Sequence, residues 1–219
     1  MRRFEIGSFF VAVIVLLIAS NSNAQSGAFN SAFGFSAGYS HVQLENDNAL
    51  FHGKDGPYFD MDFAFRIPRQ KIPILVGVGV TGSGYWDSQD TSFRLSPNTF
   101  ATATLYSDVG FFELEPRVAI ALYTKRNRGW FVRPRIGAGL LLDSYGIDHV
   151  TQSVFQTTFS TEYHTGAAFE VRPAVQAGFS WGPGEVGAEV SYMAAWGDFG
   201  AFGNEAQEFR AGAFYNVRF

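Results

Sequence analysis

The chain has 219 residues, of which 47% are hydrophobic and 17% aromatic, with 24 Phe, 24 Gly and no Cys. Its formal charge is −4, from 16 Lys and Arg against 20 Asp and Glu, which argues against a nucleic-acid partner, because such binding needs clustered cations. Without cysteine, disulfides, zinc–thiolate sites and thiol nucleophiles are excluded.

Arg2 and Arg3 precede an apolar run from Phe9 to Ala19, and small residues follow at Ser22 and Ala24. This layout predicts a secretory signal peptide over 1–24, cut after Ala24, with 25–219 as a single domain. The run is too short for a spanning helix, which needs about 20 residues. Gln25 stands where a lipid-bearing cysteine would be needed, so no lipoprotein anchor is expected. Removing Arg2, Arg3 and Glu5 leaves 14 basic and 19 acidic side chains.

Period-two alternation recurs along the rest of the chain, which is the signature of strands. Phe59, Met61, Phe63, Phe65 and Ile67 alternate with Asp60, Asp62 and Arg66. Phe112, Leu114, Pro116, Val118, Ile120 and Leu122 alternate with Glu113, Glu115 and Arg117. Val132, Pro134, Ile136, Ala138, Leu140 and Leu142 alternate with Arg133, Arg135 and Asp143. The pattern predicts eight strands, at 31–44, 57–68, 71–86, 110–124, 129–143, 161–181, 184–197 and 207–219. Short turns fall at 68–70, 125–128 and 182–183, and long connections at 45–56, 87–109, 144–160 and 198–206. Segments 99–106 and 150–159 are strand-like and read as hairpin extensions, with a ten-stranded count as the alternative. Pro73, Pro116, Pro134 and Pro173 fall inside strands and predict bulges, since each removes a ladder donor.

Charge is confined to one face. Seven arginines (66, 117, 133, 135, 172, 210 and 218) and ten acids (Asp60, Asp62, Glu113, Glu115, Asp143, Glu162, Glu170, Glu185, Glu189 and Glu208) share the expected inner side. The other side of those strands carries none, and an Arg or Lys facing lipid near the midplane costs about 2–4 kcal/mol. Aromatic residues mark the ends of that uncharged side: Phe59, Trp86, Phe112, Tyr163, Trp196 and Phe209 beside the long connections, and Trp130, Trp181 and Phe219 beside the short turns. Two such girdles around an apolar band of about 25 Å are expected of a barrel in lipid. The fold class that follows is all-β, a closed antiparallel transmembrane up-and-down barrel of eight strands. Inward glycines such as Gly79 and Gly137 are expected to clear space for the long charged side chains.

Val132-Arg133-Pro134-Arg135-Ile136-Gly137-Ala138-Gly139, its echo Val171-Arg172-Pro173-Ala174-Val175-Gln176-Ala177-Gly178, and the terminal Tyr215-Asn216-Val217-Arg218-Phe219 carry a resemblance. Over nearly all of 25–219 the chain resembles the outer-membrane protein β-barrel domain family, the small barrels of the OmpA and OmpX kind. The resemblance implies a bacterial outer-membrane location of the Gram-negative type, and recognition of the terminal Phe219 by the barrel-assembly machinery. Contact with outer-membrane lipid and lipopolysaccharide and a monomeric state follow as expectations, with no appended peptidoglycan-binding domain after Phe219.

An eight-stranded interior is just wide enough for its own side chains, so an Arg–carboxylate plug is favoured over a narrow solute channel. The size of the chain also resembles that of lipid A deacylases, which use a Ser–His–acid arrangement. His164, with Glu162 two residues before it and Ser160 nearby, is the nearest match; its expected inward direction and the Thr165-Gly166 that follows it weigh against that chemistry. The acidic pairs Glu45/Asp47 and Asp87/Asp90 lack a calcium-loop pattern. No enzyme activity, catalytic residue, cofactor or metal site is expected. A structural or surface-interaction role through the extracellular loops is the leading expectation.

Overall fold

In a computed structural model, the described residues are 31–45, 54–68, 70, 72–96, 99–125, 128–152, 157–200 and 203–219. The expected signal segment lies outside them. The strands are β1 (Ser31–Leu44), β2 (Lys54–Arg66), β3 (Ile74–Ser96), β4 (Thr99–Ile120), β5 (Leu122–Lys125), β6 (Arg128–Gln152), β7 (Thr157–Ser180), β8 (Gly184–Gly197) and β9 (Glu205–Arg218). β4 and β5 are one wall interrupted at Ala121, because both pair with β6 in continuous register, from Ala119↔Arg135 to Leu122↔Val132. The barrel therefore has eight walls, all antiparallel.

β1 closes it by pairing with β2 on one side and β9 on the other. At the closing seam Ser31 N–H donates to Phe219 O at 2.9 Å and Phe219 N–H to Ser31 O at 3.0 Å. Closure leaves no sheet edge within the barrel, as the absence of water in a bilayer core requires.

Alternation sorts the side chains as expected. The outward set from Val76 and Val78 through Leu114, Val118, Ile136 and Leu140 is exposed on every wall it belongs to. Trp86, Phe112, Tyr163, Trp196 and Phe209 are exposed at one end, and Trp130 and Trp181 at the other. Fourteen of the seventeen charged groups expected inside are buried, while Asp62 and Arg66 are half-buried. Glu162 is a correction: it is exposed, because β7 at that height has risen past its neighbour β8, whose pairing begins at Ala168↔Gly197.

The prolines are a second correction. Pairing runs through Pro116↔Val78, Pro134↔Val175 and Ile136↔Pro173, and the register shifts lie elsewhere, at Arg94/Ser96 and Tyr123/Lys125. Each ladder skips beside the proline on one side only: Leu114↔Leu140 resumes at Arg117↔Gly137, and Val171↔Ala194 resumes at Ala174↔Ser191, in the same register. A missing N–H removes one donor without inserting a residue, so no bulge is needed. Pro73 precedes β3, and its carbonyl accepts from Ala121 N–H at 2.9 Å.

The connections expected at 87–109 and 144–160 are largely strand. β3 and β4 stay paired from Trp86↔Asp108 to Arg94↔Phe100, and β6 and β7 up to Gln152↔Thr157. β4 and β6 are joined as far as Thr102↔Gln152. Four walls thus continue as one blade above a rim at which β2 leaves β3, at Tyr58↔Ser83. The strand-like segments at 99–106 and 150–159 belong to this blade, so they lengthen existing walls and add no ninth or tenth.

Candidate functional site

Inward alternation points Arg and carboxylates from β2, β4, β6, β7, β8 and β9 into one space, where each charge must find a partner or carry a large desolvation cost. Three layers result. Nearest the short turns, Glu185 accepts from Arg133 Nη2 at 2.5 Å, from Tyr123 Oη at 2.7 Å and from Asn216 Nδ2 at 3.1 Å, and lies 3.3 Å from Arg218 Nη1. Arg218 also donates to Ser180 Oγ at 2.6 Å and to the Gly182 carbonyl, tying the β7–β8 turn to the last strand.

In the middle, Arg117 grips Asp60 with both Nη atoms, at 2.8 and 2.5 Å, and Glu115 with Nε and Nη2, at 2.9 and 2.5 Å. Arg135 donates to Glu189 at 2.8 Å, and the other oxygen of Glu189 accepts from Gln176 Nε2 at 2.5 Å. Bidentate pairing of this kind suits the planar guanidinium and explains the absence of lysine from the set.

Towards the opposite end, Glu113 on β4 accepts from Arg172 on β7 at 2.5 Å and from Arg210 on β9 at 2.5 and 3.0 Å. Arg210 also holds Glu208, through Nε at 2.7 Å and Nη2 at 2.6 Å, and Glu208 accepts from the Tyr85 hydroxyl. Oxygens of Glu113, Glu115 and Glu170 lie within 4.8 Å of one another, a spacing that suits a metal ion. Arg172 Nη2, however, reaches Glu170 at 3.1 Å while Nη1 takes Glu113, so guanidinium supplies the positive charge there.

The glycines fit this crowding. A Cβ on Gly79 would lie 1.8 Å from Arg117 Cζ, and one on Gly137 would lie 1.9 Å from Glu115 Oε2. A cavity of about 20 Å³ remains among Asp62, Arg117, Arg133, Arg135, Gln176 and Asn216, room for about one water.

Above the charged layers the lumen turns apolar. Val42, Leu44, Tyr85, Val109, Phe111, Leu141, Met193 and Phe199 form a buried cluster. Phe199 comes from the β8–β9 turn, which folds into the mouth: Phe199 N–H donates to Gly203 O at 2.9 Å, and Gly200 N–H to Asp198 Oδ1 at 2.8 Å. Gly200 has φ +59°, which L side chains rarely adopt, and this lets the turn reverse within so few residues. Glu45 Oε2 accepts from Asn204 N–H at 2.7 Å and anchors the turn to the end of β1. Sequence reasoning missed this cap. Its signal was the loss of alternation at the upper strand ends, where Phe111-Phe112 and Leu140-Leu141-Leu142 are apolar on both faces.

His164 points inward as expected and stacks on Tyr145, with ring centroids 5.0 Å apart. The acid beside it is Asp143. A Cβ on Gly166 would lie 2.5 Å from Asp143 Oδ1 and 3.1 Å from His164 Nε2. Glu162 and Ser160 are exposed above the rim. The structure therefore brings together a His and an acid other than the one read from spacing.

No protein-family model and no curated protein sequence matches the chain. Among solved structures, the outer membrane protease OmpT from Escherichia coli aligns with a TM-score of 0.51 at 9% identity, over 90% of this chain and 100% of OmpT. The chain has the fold of an outer-membrane barrel. Neisserial surface protein A aligns at TM-score 0.44 and 16% identity, over 89% of this chain and 98% of its own. Ail, the attachment invasion locus protein of Yersinia pestis, aligns at 0.43 and 12%, over 86% and 99%.

Proposed function

We propose that this protein is a non-enzymatic barrel of a Gram-negative-type outer membrane, exported through a cleaved signal at 1–24, whose work is done by its extracellular blade rather than through its lumen. The observation that carries this reading is the pairing of an exposed apolar belt with a lumen filled by ion pairs and capped by the Phe199 cluster. Such a belt in water would be an aggregation surface, whereas in hydrocarbon it is the favoured one. The blade gives the surface role a place: it is the continuation of β3, β4, β6 and β7 beyond the rim. The terminal Phe219, hydrogen-bonded to Ser31 at the closing seam, is offered as the mark read by the barrel-assembly machinery. Closure within one chain supports a monomer.

Cell fractionation tests the location: the protein belongs with outer-membrane markers and shows heat-modifiable migration on gels. Recovery of the folded protein in the soluble periplasm would overturn the reading. Planar-bilayer recording tests the lumen, with silence expected at all voltages the bilayer tolerates. Deleting the blade tips, at 89–105 and 148–160, is expected to abolish surface binding while the barrel still folds.

A further inference from the structure

Just above the apolar band the outer wall changes character. Phe112 and Leu142 face outward side by side and are exposed. Two residues higher, the row across β3, β4, β6 and β7 reads Gly84, Gly110, Ser144 and Thr165. Two residues higher again it reads Trp86, Asp108, Gly146 and Tyr163. These two rows, with Tyr85, Val109, Tyr145 and His164 between them, line a trough of about 400 Å³.

The floor is open for no internal reason. A Cβ on Gly84 would meet nothing nearer than Trp86 at 4.0 Å, and one on Gly110 nothing nearer than Ser144 Oγ at 3.4 Å. The lumen glycines, by contrast, would clash at 1.8 and 1.9 Å. Trp86 is 65% and Tyr163 83% exposed, and they stand at the two ends of the upper row. Three strand spacings separate them, about 14 Å, the length of a short oligosaccharide. The Tyr163 ring and the Asp108 carboxylate both border Gly146, at 3.4 and 3.5 Å from where a Cβ would sit. An aromatic belt alone calls for Trp and Tyr at this height. It does not call for a carboxylate in the same outward row above an empty floor.

We propose that this trough binds the sugar headgroup of an outer-leaflet glycolipid, an inference that rests on the outer-membrane reading above. Trp86 and Tyr163 offer flat faces to the C–H sides of sugar rings, and Asp108 accepts from their hydroxyls. Neither row holds a Lys or Arg and the upper one holds the acidic Asp108, so a phosphate group alone finds no cationic partner in them. The ligand is lipid-anchored rather than free because the row beneath, Phe112 and Leu142, continues the trough into the apolar wall where acyl chains lie.

Native mass spectrometry of the purified protein in a zwitterionic detergent tests this with three probes: lipopolysaccharide, its delipidated polysaccharide, and phosphatidylglycerol. Lipopolysaccharide is expected to be retained preferentially. The double variant W86A/Y163A is expected to lower retention by about tenfold or more, and D108N to lower it severalfold. Should W86A/Y163A fail to fold, Gly84→Val, whose Cβ meets nothing nearer than 4.0 Å, narrows the floor and serves in its place. Equal retention by the variants, equal retention of phosphatidylglycerol, or equally tight binding of the free polysaccharide would each overturn the proposal. The measurement is made in detergent and reads binding independently of location: a failed fractionation would remove the ground of the proposal, whereas lost selectivity for lipopolysaccharide would refute the trough and leave the location standing.

Discussion

Gly79 and Gly82 lie three residues apart on β3 and face opposite ways, so alanine at each asks a different question. At Gly79 the new methyl would sit 1.8 Å from Arg117 Cζ and 2.2 Å from Nε and Nη1. A flexible arginine elsewhere would swing aside. Here the side chain is held by Asp60 and Glu115, all three nearly inaccessible, so moving it breaks the bidentate pair with Asp60. Separating a buried pair of this kind costs about 3–5 kcal/mol, because the carboxylate is left without compensation. At Gly82 the methyl meets nothing within 4 Å and relieves the glycine penalty, for a gain of about 0.5–1 kcal/mol. Urea titration of the protein in phospholipid vesicles, followed by tryptophan fluorescence, reports both. Equal effects at the two sites, or a loss under about 1 kcal/mol at Gly79, would refute the assignment of faces and with it the charge-packed lumen.

Three further outcomes follow from the same geometry. Ile136→Arg, on the outward face near mid-band, should lower stability in vesicles by about 2–4 kcal/mol against Ile136→Ala, and a smaller gap would place that face outside hydrocarbon. Phe199→Ala should lower stability by about 3–5 kcal/mol in the same titration, with an unchanged value showing that the β8–β9 turn does not cap the lumen. The exposed His41–Asp55 pair at 2.9 Å should contribute little, so His41→Ala is expected to shift the urea midpoint by less than about 0.5 kcal/mol in equivalent terms.

Which face each residue takes was legible because strand side chains alternate strictly, and Arg117, Glu113 and Arg210 all landed inside on parity alone. Parity says nothing of height. Glu162 has inward parity yet lies above the rim, since nothing local shows where β8 stops accompanying β7. Partners were equally invisible: Glu113 meets Arg172 and Arg210 across the lumen, from walls that do not adjoin its own, and only the stagger of the closed sheet decides this. The apolar cap escaped notice because Leu141 between Leu140 and Leu142 looks no different from its lipid-facing neighbours. Prolines were over-read as bulges, since a strand has two sides and the lost donor affects only one.

Higher up, the blade has two margins along which no second partner strand is found among the described residues. Among the described residues, β3 from Trp86 upward and β7 from Thr165 upward each pair with a strand on one side alone. Along these margins the outer amides and carbonyls have no ladder partner among the described residues, and an extended segment laid beside them would meet a ready hydrogen-bonding template. Because the two margins belong to strands running in opposite directions, antiparallel addition would align an incoming chain downward along β3 and upward along β7. The same mode of pairing would thus read an incoming chain in opposite senses at the two flanks of a single sheet.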